Sequence, residues 1–155
     1  ELFEIPIMGK MLEWAMDIKV DREAADRLTS TLRQVKHHID NKTSVMFFPE
    51  GTRSRSGKMN KFNDGAFAMA IRFGVPVVPI VVDGTERALP KGKWLFDTKV
   101  DMHVYVLEPI DTSVYKKNQA RELSQLVRTK MVEKLAEIRN LPVEKVDNTL
   151  KELND

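Results

Sequence analysis

Residues 44–82 read SVMFFPEGTRSRSGKMNKFNDGAFAMAIRFGVPVVPIVV, and three changes of pattern within them decide the fold. The apolar run Ser44–Phe48 is halted at Pro49, which cannot donate to a ladder, so it reads as a strand with a sharp end. A polar loop follows from Glu50 to Lys61. Helical spacing then carries Ala66, Phe67, Ala70 and Phe73 to a stop at Gly74, before a second apolar run, Val75–Val82, punctuated by Pro76 and Pro79. Strand, helix, strand is the pattern of a parallel crossover, and runs apolar throughout are what strands covered on both faces look like.

The flanking sequence extends this unit. Upstream, Pro6–Trp14 groups Met8, Met11, Leu12 and Ala15 at helical spacing, and Ile18–Val20 is a short apolar stretch. Ala25, Leu28, Leu32, Val35 and Ile39 then form one stripe on a long helix that Asp21 can cap and Asn41 can end in the left-handed conformation. Downstream, Met102, Val104 and Val106 alternate with Asp101, His103 and Tyr105, as in a strand with those apolar residues inward, and Pro109 closes it. Leu123, Val127, Met131, Leu135 and Ile138 predict an amphipathic helix from about Gln119, with Val146, Leu150 and Leu153 as a weaker continuation. The expected fold is α/β, a mostly parallel central sheet flanked by helices, with a C-terminal helical segment. Residues 1–140 are expected to form the main domain and 141–155 a helical tail.

Composition narrows the function. The 155 residues hold 25 Lys and Arg against 23 Asp and Glu, a net charge of +2, which does not attract nucleic acid over the whole surface. No cysteine is present, which excludes disulfides, thiolate metal sites and a cysteine nucleophile. The longest apolar stretch, Phe73–Val82, contains two prolines and is far short of the roughly 20 residues of a membrane span. Residue 1 is Glu, and no signal pattern opens the chain, so an upstream segment is expected to be missing.

The chemistry is concentrated at Phe47–Lys58, a basic, glycine-containing loop between a strand and a helix. Ligands of open α/β sheets collect beyond the carboxyl ends of the strands, where glycines admit backbone amides and guanidinium groups bind phosphate in bidentate fashion. Arg53, Arg55, Lys58 and Lys61 supply positive charge there. A nucleotide P-loop does not fit: five residues separate Gly51 from Gly57, and Met59 follows Lys58 where Ser or Thr is needed.

Phe48-Pro49-Glu50-Gly51-Thr52-Arg53 resembles the third motif of the glycerophospholipid acyltransferases, the family of the 1-acyl-glycerol-3-phosphate acyltransferases. Glu1-Leu2-Phe3 with Ile5-Pro6 and Gly9, Val20-Asp21-Arg22, and Gly74–Ile80 are similar to the family's other segments, in order and spacing, over roughly residues 1–110. The resemblance implies acyl transfer from an acyl thioester, acyl-CoA or acyl carrier protein, to the hydroxyl of lysophosphatidic acid in phospholipid synthesis, with no cofactor and no metal, on the cytoplasmic face of a membrane to which the protein is peripheral. It implies an acceptor-phosphate site at Glu50, Gly51, Thr52 and Arg53, with Arg22, Lys58 and Lys61 adding charge. In the family mechanism a His takes the proton of the glycerol hydroxyl while an Asp five positions on holds the imidazole.

That His-X4-Asp pair is absent from these residues. Five positions after His37, His38 and His103 stand Lys42, Thr43 and Glu108. Residues five apart in a strand point to opposite faces, so His103 and Glu108 form no base pair, and His37 and His38 lie near a helix end, where solvated or dipole-interacting residues are the ordinary reading. No catalytic residue is therefore assigned. The alternative function is a non-catalytic phospholipid- or acyl-carrier-binding module of the same fold. A second departure is Phe62-Asn63-Asp64-Gly65, where the family has Phe-Lys ahead of its Gly; Asp64 is expected to cap the following helix.

Overall fold

The computed structural model describes residues 10, 11, 14, 18, 27–54, 56–85 and 99–149. They belong to two units, Glu1–Met46 and Phe47–Asp155.

In the first unit, helix α1 spans Arg27–Asp40. Its stripe is in place where it is described, with Val35 buried and Leu32 and Ile39 half-buried, joined by Thr31. Asp21, Arg22 and Ala25 lie outside the described residues. The helix ends differently from expectation: Lys42, at φ 58°, takes the left-handed position. Asn41 is still bonded as helix, its backbone N and its Nδ2 both donating to the His37 carbonyl at 3.1 and 2.8 Å, so the left-handed turn falls one residue later. Of the proposed Pro6–Trp14 helix, Lys10, Met11 and Trp14 are described; they are helical, and Met11 and Trp14 are exposed.

The second unit is built on helix α2, Gly65–Phe73, strands β1, Ile80–Asp83, and β2, His103–Val106, the long helix α3, Ala120–Arg139, and a single turn α4, Val143–Val146. Helix α2 ends as its sequence requires, Gly74 taking φ 63° and Val75 N donating to Ala70 O at 3.1 Å. Its start corrects the expectation for Asp64. That residue is already right-handed helical, at φ −77° and ψ −8°, and makes no side-chain capping bond. A capping side chain reaches the first-turn amides from extended backbone, which Asp64 does not have.

The sheet also differs. β1 and β2 pair antiparallel, Ile80 opposite Val106 and Asp83 opposite His103, and this is the sheet of the described residues rather than a mostly parallel one. Val77 adds a bridge to Ile110 one step outward. Residues 43–48 make no strand: the run has no ladder neighbour among the described residues, and Met46 and Phe48 are exposed. Apolar sequence creates a strand only where another strand takes its hydrogen bonds.

The inward face of β2 is the reverse of the one expected. Met102, Val104 and Val106 are exposed, whereas Tyr105 and Leu107 pack against the core. Helix α3 decides this, since Lys134 Nζ stands 5.6 Å from the Tyr105 ring centre. α3 packs against α2, β1 and α4, and its Leu123, Val127, Val132 and Leu135 meet Phe67, Val81 and Val146 in one core. The expected α3 stripe is borne out, with Met131 and Ile138 at its margin. Val146 is fully buried, so 143–149 is held by the core; Leu150 and Leu153 lie outside the described residues.

Candidate functional site

Pro49 and Gly51 shape the loop at residues 48–53. The Phe48 carbonyl accepts from Gly51 N at 3.1 Å, closing a turn. Gly51 adopts φ 69°, a conformation that favours glycine, and a Cβ there would stand 3.0 Å from Asn63 Nδ2, so that amide would have to give way. Asn63 is near because it straps the turn: its backbone N and its Nδ2 both donate to the Pro49 carbonyl, at 2.8 and 3.1 Å. The position where the family has Lys is thus a brace in this chain.

Glu50 adds a second strap. Its Oε2 accepts the Asn60 backbone N–H at 2.9 Å, joining the start of the loop to its far side. Burial raises its carboxyl above the ordinary value, with the Asn60 bonds and the charge of Arg128 opposing that rise. Beyond these straps Gly51, Thr52 and Arg53 are exposed, as is Lys61. Arg55 lies outside the described residues, as does Arg22. Lys58 is half-buried and donates from Nζ to the Glu144 carbonyl at 3.1 Å, which ties it to α4. Glu50, Gly51, Thr52 and Arg53 are therefore brought together on one turn.

The loop is supported by residues that motif reading missed. Arg139 NH1 donates to the Gly57 carbonyl at 2.8 Å, and its Nε and NH2 both reach Asp83 Oδ1, at 2.9 and 2.5 Å. Arg128 reaches the Met59 and Asn60 carbonyls and the Asp147 carboxylate. Ser124, Arg128, Val132, Leu135 and Arg139 share helical spacing on α3, so two arginines on a face that is otherwise buried were the signal available in the sequence.

A braced, solvent-facing turn ending in an arginine suits a phosphate monoester, because a guanidinium offers paired donors in the geometry of phosphate oxygens. Proton abstraction is another matter. His37 and His38 sit on α1, and His103 on β2 faces Asp83 across the ladder, whose carboxylate is taken by Arg139. Among the described residues no group of three His, Asp or Glu could hold a metal ion, and no helix is long and apolar enough to cross a membrane.

Fold and site together define an α/β domain that presents a braced basic turn between an extended apolar run and a helix. Residues 1–83 match the family model described as Acyltransferase, and the chain belongs to that family. The 1-acyl-sn-glycerol-3-phosphate acyltransferase of Escherichia coli K12 is 34% identical over 138 residues, 88% of this chain and 55% of the relative. The protein of that name from Saccharomyces cerevisiae is 34% identical over 140 residues, 86% of this chain and 45% of the relative. Among solved structures, the 1-acyl-sn-glycerophosphate acyltransferase of Thermotoga maritima is similar with a TM-score of 0.71 at 28% identity, covering 89% of this chain and 54% of that one. The chain spans about half the length of the curated relatives it matches.

Proposed function

We propose that this chain is the acceptor-binding part of an enzyme that transfers an acyl group from a thioester to the free hydroxyl of lysophosphatidic acid in phospholipid synthesis. One observation carries the reading: Arg53 is exposed at the end of a turn that Asn63 and Glu50 strap on both sides. Arg53 holds the acceptor phosphate through its paired donors, Thr52 adds a hydroxyl, and Gly51 supplies the positive-φ turn that joins them. Glu50 fixes the turn. Lys58, Lys61 and Arg22 supply surrounding positive charge. Holding the acceptor in line lowers the barrier entropically, and the base that removes its proton belongs to residues other than these 155.

The donor is acyl-CoA or an acyl carrier protein, and the reaction needs no cofactor. The proposal places the protein peripherally at the cytoplasmic face of a membrane; among the described residues the first unit offers exposed Met11 and Trp14, and the second unit separately offers its basic loop. It keeps 1–140 as the acyltransferase domain and 141–155 as its tail. The names of the relatives support the acceptor and the chemistry.

The experiment is thiol release from acyl-CoA in the presence of lysophosphatidic acid, run on the product of the full open reading frame and on residues 1–155. Turnover by the first and none by the second is expected. The lack of a His-X4-Asp pair in these residues favours one rival, a non-catalytic module of the same fold that binds phospholipid or acyl carrier. A full reading-frame product that binds lysophosphatidic acid without releasing thiol would establish that rival.

A further inference from the structure

The C-terminal segment grips the far side of the loop through one buried cation. Arg128 Nε donates to Asn60 O at 2.9 Å and NH2 to Met59 O at 3.1 Å, while NH1 and NH2 fork onto Asp147 Oδ2 and Oδ1 at 3.0 and 2.5 Å. Met59 is also zipped between its neighbours in the C-terminal segment, its N donating to Val146 O at 2.8 Å and its carbonyl accepting from Asn148 N at 3.1 Å. Asn148 Nδ2 donates to Asn60 Oδ1 at 2.7 Å. The Asn60 N–H that remains is the one that meets Glu50. A continuous set of bonds thus runs from Asp147 through Arg128 and Asn60 to the carboxylate that straps the Glu50–Arg53 turn.

We propose that Arg128 and Asp147 are positioning residues for this turn, fixing Asn60 and, through its amide, Glu50, so that the C-terminal helices set the affinity for a phosphate monoester at Arg53. The proposal rests on the reading of that turn as the acceptor site. Four bonds to protein acceptors occupy most of the guanidinium's five donors, so Arg128 acts through the loop and is not a phosphate ligand. The pair is well buried, its side chains 14% and 7% exposed. Packed apolar residues would fill such a place at no loss of stability, whereas only a forked cation satisfies two backbone carbonyls and a carboxylate at once and thereby fixes the loop's register.

The test uses the 155-residue chain, short-chain lysophosphatidic acid as the probe, equilibrium binding, and the ¹⁵N spectrum. The Asn60 amide is expected to shift as Glu50 titrates in the parent protein and to stop doing so in Arg128→Gln, which a purely structural role for Arg128 does not require. Binding should weaken about tenfold in Arg128→Gln, a typical loss on breaking an interaction network. In a Glu50→Ala background, which removes the acceptor of the Asn60 N–H, the same change should cost less than twofold. Arg128→Lys keeps the charge beside Asp147 and carries the test if Arg128→Gln fails to fold, because an ammonium cannot fork onto two carbonyls and a carboxylate at once; it and Asp147→Asn should each lose about threefold with the same dependence on Glu50. Arg53→Ala is the control. If it abolishes binding while the Arg128 and Asp147 variants bind as the parent does, or lose affinity equally with and without Glu50, the positioning role is overturned and the acceptor reading stands. If Arg53→Ala binds normally, the acceptor reading falls and takes this inference with it.

Discussion

Gly51→Ala tests the loop geometry with a cost that can be worked out in two parts. At φ 69° an alanine sits in the left-handed region, at roughly 1–2 kcal/mol relative to glycine. Its Cβ would also meet Asn63 Nδ2 at 3.0 Å, and the amide can retreat only by releasing the Pro49 carbonyl, a neutral hydrogen bond worth about 0.5–1.5 kcal/mol. The restriction of the unfolded chain by alanine returns about 0.4–1 kcal/mol. The parts separate in a double-mutant cycle, because Asn63→Ala removes the neighbour and its bond together. In that background Gly51→Ala should retain only its backbone strain, so the coupling between the two sites should be about 0.5–1.5 kcal/mol, with the unfolded-state contribution cancelling. Urea unfolding of the four proteins measures it, provided the slopes agree. Equal costs for Gly51→Ala with and without Asn63 would refute the strap.

Arg53→Ala in the product of the full reading frame should raise the Michaelis constant for lysophosphatidic acid and leave that for acyl-CoA within twofold, since a charge-assisted bond is worth about 1.5–3 kcal/mol; steady-state kinetics with each substrate varied in turn decides. Asp147→Asn should destabilise by about 3–5 kcal/mol at pH 7 by leaving a buried guanidinium without its counter-charge. Burial pushes the Asp147 carboxyl up, but the bonds from Arg128 and Thr149 outweigh it and hold it below the ordinary 3.8; its contribution is thus present above 3.8 and lost as pH falls through the folded value, where parent and variant should converge in unfolding curves. Glu50 has the opposite sign: its folded value is raised by burial, so its contribution is present below 4.5 and lost as pH rises through the folded value, and Glu50→Gln should gain on the parent as pH rises above 4.5 in the same unfolding series. Residues 1–155 should float with anionic vesicles at low salt and separate from them at high salt, because each basic side chain near such a surface adds only about 1 kcal/mol; retention on neutral vesicles in high salt would contradict this.

Where periodicity was long, the sequence was read correctly. The stripe of α3 and the glycine stop of α2 depend on local spacing and on one residue's conformational freedom, and both are as expected. The β2 alternation was found, but its inward face was reversed. Period two cannot say which side a helix will cover when Val104 and Val106 on one face are balanced by Tyr105 and Leu107 on the other. The run at 44–48 shows the same limit, since a strand is a relation between segments. At the site, the order Phe-Pro-Glu-Gly-Thr-Arg located the turn, whereas its straps come from Asn60 and Asn63 and its remote support from Arg128 and Asn148. Contacts bridging 68 and 88 residues leave no short pattern to find.

The placement of charge resolves what composition left open. A net charge of +2 arises from many cations almost cancelled by acids, and the structure sorts those cations into two uses. Arg128 and Arg139 are committed inside, each holding one carboxylate and loop carbonyls, at Met59 and Asn60 for the first and at Gly57 for the second. Both lie on one face of α3, so the same helix holds the loop on both sides of Lys58. An aspartate accompanies each arginine, which keeps the buried cations neutralised locally, whereas Arg53 and Lys61 are exposed to solvent. On the proposed reading, exchanging Arg53 for a neutral residue alters what the turn attracts, whereas exchanging Arg128 alters where the turn is held. The same side-chain chemistry would then serve recognition at one end of the loop and positioning at the other, with burial separating the two roles.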